Sequence, residues 1–101
     1  MKLLLPMDKE ETQEGALSPI NDAVVWAVVD LDEGQVADIS FYTDREEAME
    51  TWPDAAVVTG DFEPVMEFIE QQMMVLVAHH QRSIDDIVEA FLFKELHELA
   101  F

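Results

Sequence analysis

Two strand-then-helix units follow one another in the second half of this chain, and they constrain its fold more than any other feature. Asp54-Ala55-Ala56-Val57-Val58-Thr59-Gly60 is a short apolar run that leads into a helical pattern over Phe62 to Gln72. Met73-Met74-Val75-Leu76-Val77-Ala78 is a second run, passing through His79-His80-Gln81-Arg82 into another helix from Ser83. Apolar strands alternating with helices imply a parallel sheet, because parallel neighbours need a crossover connection. In such sheets ligands bind where strands end and helices begin. Two of the three histidines stand at one of these places.

The first half supplies the other strands. Lys2 to Met7 reads as a strand closed by Pro6 and the acidic loop Asp8 to Gly15, which is polar and irregular and expected to be mobile. The acids of that loop lack the glycine and the alternating spacing of a calcium loop. Leu17 to Asp22 is a turn or a short helical piece. Ala23 to Val29 is continuously apolar, as befits a central strand covered on both faces. Asp32-Glu33-Gly34 makes a three-residue turn, and Gln35 to Tyr42 returns as an edge strand. On it Val36, Asp38, Ser40 and Tyr42 face one way, and Ala37, Ile39 and Phe41 the other.

Helix signals punctuate the remainder. Thr43 and Glu46 read as a capping box opening a short helix that stops before Pro53. Asp61 is the candidate cap of the next helix, whose inner face is Val65, Phe68, Ile69 and Gln72. Ser83 caps the last helix, with Asp85 and Asp86 in its first turn. Ile84, Ile87, Val88 and Phe91 form its apolar stripe. Leu92 to Phe101 continues as helix or as a packed tail, which gives His97 a structural or solvated place. The order strand, strand, strand, helix, strand, helix, strand, helix predicts one domain over residues 1–101. Three antiparallel strands are joined by two parallel ones in a mixed five-stranded α/β sheet with helices on its faces, the ribonuclease-H-like arrangement.

Charge excludes several functions. Twenty-three acids against five bases give −18, spread along the chain. Such a surface repels nucleic acid and anionic membranes, which need clustered Lys and Arg. It would steer the protein toward a partner with a basic surface. No run approaches the roughly 18 apolar residues of a membrane helix, and the start lacks a signal sequence. With no cysteine, disulfides and thiolate metal sites are excluded. We read the chain as a cytoplasmic protein whose oligomeric state the sequence leaves open.

His79 and His80 are the sharpest chemical feature, since imidazole suits iron, zinc or copper. If the strand runs through both, they point to opposite faces; if the chain has already turned, both reach one pocket. Arg82 is expected to pair with an Asp of the following helix. Gly60 fits either a turn of positive φ or the close approach of a ligand. Trp26 reads as core and Trp52 as partly exposed. Met66, Met73, Met74, Phe62 and Phe68 fit a core better than a soft docking surface. No Gly-rich phosphate loop, nucleophile elbow or Ser–His–Asp spacing is present. The first strand also offers no carboxylates for a two-metal nuclease, so the chain reads as a non-enzyme.

The start Met1-Lys2-Leu3-Leu4-Leu5-Pro6, the loop with Ser18, the strand ending Val28-Val29-Asp30-Leu31-Asp32-Glu33-Gly34 and the unit from Ala55 to Ala78 resemble the dinitrogenase iron-molybdenum cofactor-binding family. Its members include NifX-like and NifB-C-terminal-like domains, and the resemblance spans almost the whole chain. It implies a non-catalytic carrier of an iron-sulfur or iron-molybdenum cofactor precursor. The strand-end edge of Ser18, Asn21, Gly60, His79 and His80 would be the cofactor site, with His79 and His80 as metal ligands. The family's Phe-Gly after the serine is absent here, where Pro19-Ile20-Asn21-Asp22 follows Ser18. That departure favours the alternative, an acidic interaction or regulatory module that has lost cofactor binding.

Overall fold

Leucine- and valine-rich runs pair into one mixed sheet. The computed structural model describes residues 1–99. Among them β1 (Lys2–Met7), β2 (Val25–Asp32), β3 (Gln35–Tyr42), β4 (Ala55–Val58), β5 (Met74–Val77) and β6 (His97–Glu98) lie in the order β3-β2-β1-β4-β5-β6. The first three strands form an antiparallel meander, and β4 and β5 join parallel to β1. This is the ribonuclease-H-like plan with a sixth strand, β6, added antiparallel to β5.

The continuous hydrophobicity of the central strands is used on both faces. Leu3, Leu5, Met7, Val29 and Val57 pack beneath α3 (Ile84–Leu92), which contributes the buried Ile84, Ile87 and Val88. Leu4, Trp26, Val28, Val58 and Val75 face α1 (Arg45–Met49) and α2 (Met66–Glu70), which supply Ala48 and Phe68. Phe68 meets Trp26 edge-on, with ring centroids 6.2 Å apart. Ser83 caps α3 as its sequence position implies, accepting the Asp86 N–H at 3.1 Å.

Proline in a central strand usually breaks a ladder, and Pro6 shows how this one tolerates it. The Lys2 N–H points to the β4 side, where the Asp54 carboxylate accepts it at 2.8 Å. By strand alternation the missing donor of Pro6 points the same way. The β1–β4 ladder, however, ends at Leu4 and Ala56. The missing donor thus falls beyond the paired part of that ladder, and the Pro6 carbonyl instead accepts the Ser18 N–H at 2.9 Å.

Several local expectations are corrected. The β2–β3 turn has two residues, not three: Glu33 and Gly34 both adopt positive φ, 53° and 80°, the twist a two-residue hairpin favours. An irregularity at Asp30/Leu31 pairs Leu31 with Val36 and so moves Val36 to the face of Ile39. Asp44, not Thr43, caps α1 by accepting the Glu46 N–H at 2.9 Å. Asp61 caps nothing, because α2 begins only at Met66, beyond Pro64, and Gln72 on its expected inner face is exposed. The acidic loop is closed on itself: Asp8 and Ala16 exchange bonds at 3.0 and 2.8 Å, and Gly15 is buried against the Glu11 carbonyl. The final segment is no continued helix. Lys94, at φ 59°, reverses the chain after α3 and lets it return as β6; the rest of the expected tail, residues 100 and 101, lies outside the described residues.

Candidate functional site

Parallel strands end at a common edge, so the loops after β1, β4 and β5 lie together there, and the antiparallel β2 and β6 begin there. Ser18 and Asn21 follow β1, Gly60 follows β4, and His79 and His80 follow β5. The sheet brings one residue more. His97 opens β6 and pairs with Val77, and its ring centroid stands 6.3 Å from that of His79. His80 is 6.4 Å from His79 on the same measure. Because β5 stops at Val77, strand alternation no longer separates the two adjacent histidines.

All three imidazoles are exposed. Two imidazoles on one ion stand roughly 5 Å apart between centroids, from nitrogen–metal bonds of about 2.0–2.1 Å. The observed separations exceed this by an amount that side-chain rotation of exposed residues can close. Among the described residues no group of three His, Asp or Glu side chains is already arranged around one ion. The edge offers ligands that must be drawn in.

The loops beneath them are firmly tied. Arg82 forms no pair with Asp85 or Asp86, contrary to expectation. Its guanidinium donates to the carbonyls of Ala78 at 2.9 Å and Gln81 at 2.8 Å, clamping the His79–His80 turn from inside. The Arg82 carbonyl accepts the Leu17 N–H at 2.7 Å, which joins the β5–α3 loop to the β1–β2 loop. Ser18 is the sole buried polar side chain among the described residues; its hydroxyl donates to the Pro19 carbonyl at 3.1 Å. It serves the fold, whereas Asn21 is exposed in a 3-10 turn, Ile20–Asp22.

Gly60 does not have the positive φ that a glycine-dependent turn would need. A Cβ placed there would meet nothing within 4 Å. Open space, not backbone geometry, surrounds it.

Glu63 is the residue that sequence reasoning passed over. Its carboxylate accepts the Ile20 N–H at 2.5 Å, the Thr59 N–H at 2.6 Å and the Thr59 hydroxyl at 2.8 Å. It thereby joins the loop after β1 to the loop after β4, across the point where the strand order reverses and such sheets take ligands. Three charge-assisted bonds make this a strong tie. One acid among twenty-three carries no readable signal of it. At the same edge Phe62 is fully exposed and Val24 largely so, while Phe68 and Met73 are buried. The expected aromatic and methionine core is thus split between core and surface.

Neither a protein-family profile nor a curated protein sequence matches this chain. Solved structures do. A crystal structure described as a "putative dinitrogenase" from Methanocaldococcus jannaschii superposes with a TM-score of 0.81 at 17% identity, covering 99% of this chain and 95% of that one. An NMR structure under the same description, from Methanococcus jannaschii, gives 0.80 at 17% identity over 100% and 94%. A Thermotoga protein described as a "putative NifB protein" of the DUF35 family gives 0.77 at 10% identity over 99% and 95%. This chain shares their fold. At such identities the likeness reaches no further than the arrangement of strands and helices, and residue roles must be argued from this chain alone.

Proposed function

We propose that the protein is a non-catalytic carrier of a metal cluster or cofactor precursor, an iron-sulfur or iron-molybdenum cargo held by imidazole. The observation that carries this reading is the gathering of His79, His80 and His97 at one exposed sheet edge. The chain has no cysteine, and the imidazoles gathered at this edge can bind cluster iron in its place. A cargo that brings its own sulfides has most coordination positions filled. It needs one or two added imidazoles, not the closed four-ligand cage of a structural ion. Exposed ligands on a clamped turn suit uptake and release. The fold shared with proteins described as a "putative dinitrogenase" and a "putative NifB protein" supports the same reading.

The test is an anaerobic titration with ferrous iron and with an iron-sulfur donor, following the three histidine ring signals by NMR. Shifts at His79 and its neighbours are the expected result, together with iron that stays with the wild-type protein through desalting and is lost, by metal analysis, from the triple alanine variant with unchanged unfolding. Unmoved rings would remove the proposal. A second reading, an acidic module that docks onto a basic protein and binds no cofactor, draws on the net charge of −18 and on a tryptophan left in water at the opposite edge.

A further inference from the structure

That tryptophan follows from how α1 ends. The Trp52 N–H donates to the Met49 carbonyl at 3.0 Å, and its φ is 58°. A bulky side chain at positive φ is unusual, and the buried Pro53 then takes the chain into β4. The indole is thrown outward and is 76% exposed.

It forms one wall of a groove of about 300 Å³ between α1 and the end of α2, lined by Glu46, Met49, Glu50, Trp52, Glu67 and Gln71. Arg45 answers Glu67 at 2.8 Å. Glu46 and Glu50 have no basic partner among the described residues. Apolar walls with an acidic rim match a cation on an aliphatic stem, whose methylenes lie along apolar surface while its head stays charged.

We propose that this groove docks an arginine- or lysine-bearing segment of a partner protein. The stem lies on Met49 and the indole face, a cation–π arrangement, and the charged head lies between Glu46 and Glu50. Charge selects this occupant over the alternatives, since a net −18 repels acidic segments and second copies of the chain alike. The groove lies where β4 and β5 begin, and the histidines where they end, so docking leaves the histidine edge free. The proposal stands whether or not that edge carries metal.

The experiment titrates the intact protein with an acetylated, amidated Arg-Leu-Arg peptide in 0.15 M salt, following the two indole N–H signals by NMR. The Trp52 signal is expected to shift and saturate while the buried Trp26 stays still. Read from the side-chain signals of the peptide's arginines, since this variant has no Trp52 signal to follow, Trp52→Ala should weaken binding by about two- to fivefold, the range of an exposed cation–π contact. Glu50→Gln should weaken it too, and Glu10→Gln, the same charge change in the distant acidic loop, should not. Equal binding by Trp52→Ala overturns the proposal. So does equal weakening by Glu10→Gln, which would mean attraction to net charge alone. A Trp52 signal that moves with protein concentration before any peptide is added also overturns it, in favour of a second copy.

Discussion

At the edge where β1, β4 and β5 end, loops are cross-tied by Glu63 and Arg82, and three histidines stand above them. Where β4 and β5 begin, by contrast, two five-residue helices are followed by residues at positive φ, Trp52 at 58° and Gln72 at 62°, and the tryptophan is left in water.

 The difference follows from the direction of the chain. Strand-to-helix loops arrive with unpaired N–H groups, which a carboxylate such as Glu63 can satisfy. Helix-to-strand loops must reverse the chain, and glycine is the usual residue for that. Here bulkier residues take the left-handed position, at a cost of roughly 1–2 kcal/mol each. One edge is held by side chains that hydrogen-bond inward. The other holds a side chain outward against conformational strain.

Three substitutions test that contrast, from the largest expected effect to the smallest. Glu63→Ala removes the charged acceptor of the Ile20 and Thr59 amides and should lower unfolding stability by about 2 kcal/mol. Denaturant unfolding measures the loss, and hydrogen exchange should quicken at those two amides while the Trp52 indole signal stays put. A loss below about 0.5 kcal/mol would mean that water replaces the carboxylate and the edge is not tied by it. Trp52→Gly should instead raise stability by about 1 kcal/mol, because glycine adopts φ 58° freely. A fall in the unfolding midpoint would show that the indole supports the fold and does not stand free. Gly60→Ala should change stability by no more than about 0.5 kcal/mol, since the added methyl meets open space. Weaker iron-sulfur uptake by that variant, at unchanged stability, would bring the cargo close to Gly60; unchanged uptake would keep it at the histidines.

Much of the fold is legible in the residues. The unbroken apolar runs at Val25–Val29 and Val75–Ala78 could be satisfied only by burial on both faces, and the stripe from Ile84 to Phe91 only by a helix on a sheet. The candidate edge is legible in part. Ser18, Asn21, Gly60, His79 and His80 follow from strand ends, but Ser18 proves buried and Gly60 free of any backbone demand. His97 was not legible as their neighbour. A two-residue strand has no periodicity to detect, and Lys94 reverses the chain without the glycine that usually marks such a turn.

By itself, then, the sequence determined the parallel units, the meander, the Ser83 cap and the edge to which ligands would come, because periodicity and capping act within a few residues of one another. Tertiary structure decided that His97 joins His79, that Glu63 ties the loops after β1 and β4 and that Trp52 stands in water. The Glu63–Ile20 bond joins residues 43 positions apart. Contacts of that range exist only once the sheet has brought the loops together, so no local pattern of residue types announces them.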